Sequence, residues 1–256
     1  MALGTNIALP NVRRFFLPDP GYILFDVDLA GADAQIVAWE ADDAPLKQAF
    51  RDHAAGKGPK VHCVNSKAIF GHLAGPDGKT DPYYSRAKAG VHLTNYGGKA
   101  RTAAAALGIS VPAAEHFQRT WFELHPDIKK WQDRVMNDLQ TTRSVRNPFG
   151  FVRTYFDRID DRLLGQALAW VPQSTVAIII DTAYNRITET LPEVQVLLQV
   201  HDSLVGQTRI ADWPRLKPLI RQALHVVIPY ADPLVVPTGL KTSTVSWGDA
   251  QDESWD

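Results

Sequence analysis

Apolar runs lie near both ends of the chain, with helical periodicity between them. Residues 22–29 read Tyr-Ile-Leu-Phe-Asp-Val-Asp-Leu, and residues 194–205 read Val-Gln-Val-Leu-Leu-Gln-Val-His-Asp-Ser-Leu-Val. Both are rich in apolar and β-branched residues, which predicts a strand for the first and a buried strand or hairpin for the second. After the first run, the alanine-rich stretch 30–39 reads as the start of a helix. Residues 45–150 are mostly helical in pattern. A short helix over 60–70 ends at Gly71, 75–81 reads as a loop, and a helix over 83–96 is stopped by Gly97-Gly98. More helix follows over 111–140, with Ser110 as its N-cap and Pro112 just inside. Residues 158–188 predict a long helix broken or kinked near Pro172, which would place Gln173, Ser174 and Thr175 at a helix start. An amphipathic helix over 214–229 and a strand over 234–246 complete the pattern. The first twenty residues, with Pro10, Pro18, Pro20 and the pair Arg13-Arg14, read as an extended lead-in. The acidic tail after Trp247 reads as loose.

Polar residues interrupt the two apolar runs. Asp26 and Asp28 fall on one face of the first strand, because side chains alternate along a strand. His201, Asp202 and Ser203 break the second run. A carboxylate in such surroundings is costly to ionise unless a cation, a donor or water meets it. Two plainer readings stay open: Val-His-Asp-Ser-Leu as a tight turn between strands, and Asp28 as the cap of the following helix. In the helix over 83–96, Tyr84, Lys88, His92 and Tyr96 recur every four residues and share a face, with Asn95 and Lys99 beside them. A cation, an imidazole and a phenol in a row suit a phosphate, a ring and a sugar stacked in that order. A solvated helix face is the alternative. Residues 129–153 hold Lys129, Lys130, Arg134, Arg143, Arg146 and Arg153 against Asp133 and Asp138, with Trp131 and Phe149 interleaved. That local basic patch could track a nucleic-acid backbone.

Composition adds bounds. The chain has 256 residues, 45% hydrophobic and 21% charged, with a formal net charge of −1. No overall basic field advertises a polyanionic partner, so any such surface is local. One cysteine, Cys63, excludes an internal disulfide and fits a reducing compartment. The sequence shows no apolar run of membrane-spanning length and no charged-then-apolar leader, which predicts a cytoplasmic protein with no membrane partner.

Two apolar strands each ending in a carboxylate, Asp28 and Asp202, are what a pair of divalent ions requires. At this point the sequence resembles the family A DNA polymerases, the bacterial DNA polymerase I-like group and its phage relatives. Asp28-Leu-Ala-Gly-Ala-Asp33-Ala-Gln35 resembles the first palm motif, and Val61-His62 with Ile69-Phe70-Gly71 the start of the fingers. Lys88, His92, Tyr96 and Gly97 resemble the fingers helix that grips the incoming nucleotide. Pro172-Gln173-Ser174-Thr175 resembles a template-touching segment, Gln199-Val-His201-Asp202-Ser203 the last palm motif, and Ser246-Trp247-Gly-Asp-Ala the usual C-terminus. The six occur in the family's order and cover nearly the whole chain.

The resemblance implies an α+β fold: an antiparallel palm sheet with an inserted helical fingers subdomain. It divides the chain into palm (1–50), fingers (51–150) and palm again (151–256). It implies DNA synthesis with two Mg²⁺ ions held by Asp28, Asp202 and the Leu29 carbonyl. His62 and Lys88 would hold the triphosphate of a dNTP. His92 would stack near sugar and base, Tyr96 would close over the nascent pair, and Asp33 would stand at the sugar 2′ position and pair with Tyr96. Arg153 and Gln173 would touch the DNA primer–template, and His201 the primer terminus. The sequence also departs from the family. Tyr84 stands where the family has arginine, with Arg86 on another face. Ser203 replaces an acidic residue, and Asp33 a longer glutamate, which predicts weaker exclusion of ribonucleotides. Thumb and exonuclease segments are not seen, and only Gly4–Pro10 resembles the segment before the first motif. A split polymerase, with a second polypeptide carrying the thumb, is therefore expected. Two alternatives stay open: a catalytically weak or inactive relic that binds primer–template, and an unrelated metal-dependent phosphohydrolase.

Overall fold

The computed structural model describes residues 11–71 and 81–256. The Gly4–Pro10 segment, and the 75–81 loop apart from Asp81, lie outside the described residues. The chain divides into two compact units. Among the described residues, one comprises 11–30, 177–226 and 236–256, and the other 31–71, 81–176 and 227–235.

The first unit is built on a five-stranded sheet of order β4-β5-β1-β6-β7, antiparallel at every pairing. Its strands are β1 (Tyr22–Leu29), β4 (Gln195–Val200), β5 (Ser203–Arg209), β6 (Thr238–Ser243) and β7 (Gln251–Asp252). β1 is central, and Leu24, Phe25, Val27 and Leu29 are each at most 2% exposed. Burying an aliphatic or aromatic side chain of this size contributes roughly 1.5–3 kcal/mol. Gly206 on β5 admits the Phe25 ring, because a Cβ there would lie 2.4 Å from Phe25 Cζ. The second apolar run proves to be a hairpin and not one buried strand. β5 is buried along most of its length, whereas β4 alternates between exposed and half-buried positions. Side chains alternate between the two faces of a strand, and on β4 one face meets solvent while the other is half covered. Helix α9 (Trp213–Ala223) packs Trp213 on Phe25, with stacked rings 5.7 Å apart. It ends six residues before the sequence pattern suggested. The acidic tail is tied down: Glu253 accepts from Trp213, Thr242 and Lys217, and Trp255 Nε1 donates to the Thr238 carbonyl.

The second unit is helical. It contains α1 (Ala32–Ala41), α2 (Ala44–Ala54), α3 (Val61–Phe70), α4 (Pro82–Asn95), α5 (Ala100–Leu107), α6 (Val111–Leu124) and α7 (Pro126–Thr141), with a two-stranded ribbon of β2 (Ser144–Arg146) and β3 (Val152–Thr154). The stretch 111–140 is two helices, because Pro126 interrupts the pattern and opens α7 at its first position. Ser110 caps α6 as its sequence predicts, accepting from the Ala113 amide. Gly71 ends α3 at φ +70°. α4 lies close to α6, since a Cβ on Gly90 would fall 2.4 Å from the Phe117 ring.

Helix α8 (Asp161–Thr190) runs unbroken through Pro172 for 30 residues. Gln173, Ser174 and Thr175 therefore sit inside a helix and not at a helix start. The Ser174 and Thr175 hydroxyls donate back to the Val171 carbonyl at 3.2 and 2.7 Å. Buried residues on both sides of the proline, Leu168 and Val171 before it and Ile179 and Ile180 after it, offset the missing amide donor. α8 also corrects the membrane reading: one stretch of it is long and apolar enough to cross a bilayer by length and composition. Half of that stretch is buried inside the protein, and a core helix meets the same criterion.

Candidate active site

In the first unit the two sequence-predicted carboxylates come from adjacent strands. β1 ends at Leu29 and β5 begins at Ser203, with Asp28 opposite Ser203. The Leu29 amide donates to the Asp202 carbonyl at 3.0 Å. Residues 28 and 202 are thereby held at one end of one sheet. The tight-turn reading of residues 200–203 is also correct, since Val200 pairs with Ser203 across His201 and Asp202. His201 takes φ +54°, a conformation uncommon outside glycine and accepted in tight hairpins. The Ser203 hydroxyl donates to the Val200 carbonyl and closes the turn. Asp28 does not cap α1. Gly31 occupies the cap position in a left-handed conformation and no side chain caps the helix.

The Asp28 carboxyl is half-buried, and burial raises its pKa above the usual carboxylate range. Lys241 opposes that shift, while the negative charges of Asp26, Asp202 and Asp252 add to it. Asp26 is buried and accepts the indole N–H of Trp247 at 2.7 Å, and its second oxygen has no hydrogen-bond partner among the described residues. Across the other edge of β1, Asp28 pairs with Gly239. A Cβ at Gly239 would stand 2.6 Å from Asp28 Oδ1, so the carboxyl occupies the space of the missing side chain. Sequence reasoning missed Gly239 and Lys241. Their role depends on the register of β6 against β1, which no local pattern reveals.

In the second unit, α3 and α4 assemble the aromatic and imidazole row. His62 meets Tyr84 edge-on at 5.8 Å and His92 at 6.0 Å, and His92 meets Tyr96 at 6.2 Å. The four-residue spacing therefore forms a contiguous face, and not only a solvated one. His62 is 7% exposed. Burial, reinforced by the nearby positive charges of His92 and Lys88, pushes its pKa down to about 3, so its imidazole is uncharged. Burial also lowers the His92 pKa, against the pull of Asp33. The Tyr96 phenol is pushed far up by burial and by the Asp33 carboxylate, which places Asp33 beside Tyr96 as the sequence implies. Lys88 is exposed, as is Arg86, whose guanidinium lies over Tyr83 at 6.0 Å and on a different face. Asn95 is a buried structural residue that accepts from Trp121 Nε1. Gln132, which the sequence did not single out, donates to the Thr94 and Asn95 carbonyls. It satisfies the C-terminal end of α4 beside Tyr96.

The basic patch is smaller than its composition suggests. Lys129 pairs with Asp133, and Lys130 with Asp127. Arg134 donates to the Glu40 carbonyl. Arg153 is exposed on the ribbon, Gln173 is exposed on α8 and His201 is exposed at its turn.

Asp28 and Asp202 suit a hard divalent ion. Their mutual repulsion and the burial of Asp28 favour a cation, and two carboxylates with a main-chain carbonyl leave coordination for phosphate oxygens and water. Among the described residues, no three or more histidine, cysteine or carboxylate side chains form a closed ligand set.

The profile of DNA polymerase family A matches residues 5–249. The DNA polymerase of Mycobacterium phage D29 is 26% identical over 241 residues, covering 93% of this chain and 37% of that protein. The thermostable DNA polymerase I of Thermus filiformis is 26% identical over 240 residues, covering 90% of this chain and 28% of that protein. The chain thus spans about a third of these relatives' length. Among solved structures, the POL domain of Pol1 from M. smegmatis, in complex with DNA primer-template and dNTP, has a TM-score of 0.79 at 22% identity. It covers 93% of this chain, which covers 42% of it, and it shows the same fold. With a family match over nearly all its residues, this chain belongs to DNA polymerase family A.

Proposed function

We propose that the chain carries out nucleotidyl transfer from a dNTP to a primer 3′-hydroxyl in template-directed DNA synthesis. The observation that carries the reading is the Leu29–Asp202 main-chain bond, which sets two carboxylate-bearing residues side by side at adjacent strand ends. Asp28, Asp202 and the Leu29 carbonyl would hold two Mg²⁺ ions. Such ions supply activation of the attacking hydroxyl and charge neutralisation at the leaving phosphate. Lys88 contributes a positive charge to the triphosphate, and uncharged His62 a hydrogen bond. His92 and Tyr96 offer ring faces to sugar and base. Asp33, beside Tyr96, stands at the sugar 2′ position, and its short side chain leaves room that a glutamate would fill. Arg153, Gln173 and His201 contact the primer–template.

The reading includes a second polypeptide bearing the thumb. Co-purification from the native source tests that part, and processive extension by the purified chain alone removes it. The central test is Mg²⁺-dependent primer extension by Asp28→Ala and Asp202→Ala. Each variant should lose incorporation while still binding primer–template. Wild-type protein that binds primer–template but incorporates nothing at any Mg²⁺ concentration, both alone and together with the co-purified thumb polypeptide, would refute the proposal and favour a binding relic.

A further inference from the structure

The ribbon of β2 and β3 presents an aromatic ring that the reaction centre does not use. Phe156, two residues past β3, is 88% exposed. A phenylalanine so far out of the core ordinarily belongs to a mobile segment, but here the backbone on both sides is clipped. The Arg143 guanidinium donates to the carbonyls of Tyr155 and Asp157, the two residues flanking Phe156. The Arg143 carbonyl accepts the Tyr155 amide at 2.8 Å. Arg143 itself takes φ +56° to do this, a conformation that costs roughly 1–3 kcal/mol in a residue with a side chain. Tyr155 is 5% exposed and anchors the segment from below. The ring of Phe156 is thus held in water by a strained, specific arrangement.

Its surroundings choose among possible partners. Val152 and Phe151 are 49% and 60% exposed on the same ribbon. Residues 143–158 contain Arg143, Arg146, Arg153 and Arg158 against the single carboxylate of Asp157. Beyond them, Asp160 is engaged in accepting the Leu163 amide and Asp161 pairs with Lys99. Arg153 lies over the Tyr155 ring, its guanidinium carbon 5.0 Å from the ring centre, an arrangement that leaves the cation open to solvent. Exposed rings alone would suit any apolar partner, and arginines alone would suit a duplex backbone. Exposed rings on a clipped backbone among arginines suit unpaired bases joined by phosphates, because bases stack on aromatic faces while cations meet the backbone. A ring carried on a backbone already clipped in place loses less freedom on stacking than one on a loose loop.

We propose that the 143–158 ribbon is a binding site for single-stranded DNA, with Phe156 as a base-stacking platform and Arg153 and Arg146 as backbone contacts. Arg153 is shared with the primer–template contact of the synthesis reading, but the Phe156 test needs no nucleotide incorporation, so it can fail while that reading stands. Fluorescence anisotropy with a labelled oligothymidylate about 12 nucleotides long, against a blunt duplex of equal length, measures it in the intact chain. Phe156→Ala removes a solvent-exposed ring and should leave the thermal midpoint unchanged. It should weaken oligothymidylate binding by about tenfold to a hundredfold with duplex binding unchanged. Phe156→Trp should restore the affinity, with indole emission quenched on binding. Wild-type affinity in Phe156→Ala overturns the proposal, as does equal weakening for single strand and duplex. So does unchanged oligothymidylate binding with altered sedimentation, which would assign the ring to a protein contact.

Discussion

Replacing Gly239 by alanine separates stability from activity in a way that few substitutions at this centre can. Gly239 lies on β6 opposite Asp28, and its φ is outside the left-handed region, so alanine meets no backbone strain. The added methyl would stand 2.6 Å from Asp28 Oδ1, whereas ordinary contact begins near 3.4 Å. The carboxyl must therefore retreat by roughly 0.8 Å, and the far end of a flexible side chain can do so without moving the sheet. On the folding side, alanine removes conformational freedom from the unfolded chain, which contributes about 0.4–1 kcal/mol in the stabilising direction. On the chemical side, a reacting group misplaced by about 1 Å loses on the order of a hundredfold in rate. Gly239→Ala should thus denature at an equal or higher urea midpoint, yet extend primers about a hundredfold more slowly. A steady-state Mg²⁺ titration should show a raised metal requirement. Wild-type extension rates in a folded Gly239→Ala protein would refute the assignment of Asp28 as a metal ligand. A parallel loss of stability and rate would instead mean that the sheet had moved.

Two further outcomes test the second unit. His62 has a pKa of about 3 when folded, against 6.5 for the ordinary side chain. The unfolded state therefore binds the extra proton between these values, and stability falls as pH drops from about 6.5 towards 3. The loss between pH 7 and pH 5 comes to about 2 kcal/mol, and His62→Gln should flatten that part of a urea-denaturation pH profile; an unchanged slope would mean that the imidazole is not held uncharged. Gly90→Ala on α4 forces a methyl to 2.4 Å from the Phe117 ring and should destabilise the protein by about 1–3 kcal/mol in urea denaturation, although alanine is the better helix former in isolation.

The parts of the site that were legible are those whose geometry is local. α3 and α4 carry their own stop signals, and four-residue spacing alone places Tyr84, Lys88, His92 and Tyr96 on one face. Even there, sequence could not tell a solvated stripe from a packed row. His62 decides that, because it arrives from another helix to wedge between Tyr84 and His92. Pro172 departs from its local signal for a related reason: the helix-breaking propensity of one residue is outweighed by the buried contacts on either side of it that keep α8 continuous. The acidic tail is held and not loose because the groups that bind Glu253 lie on α9 and β6, outside the tail itself.

The amino-acid order by itself determined the family, the succession of strand, helices and hairpin, and the two aspartates on which the chemistry is proposed to rest. These follow from residue type and short-range spacing, which the backbone reads within a few residues. Only the folded protein decided that β4 is a half-exposed edge, that Gly239 leaves the space Asp28 fills, and that one arginine holds Phe156 out into water. Each of these depends on strand register or on hydrogen bonds between segments remote along the chain, and such pairings exist only once the competing partners have been excluded by packing.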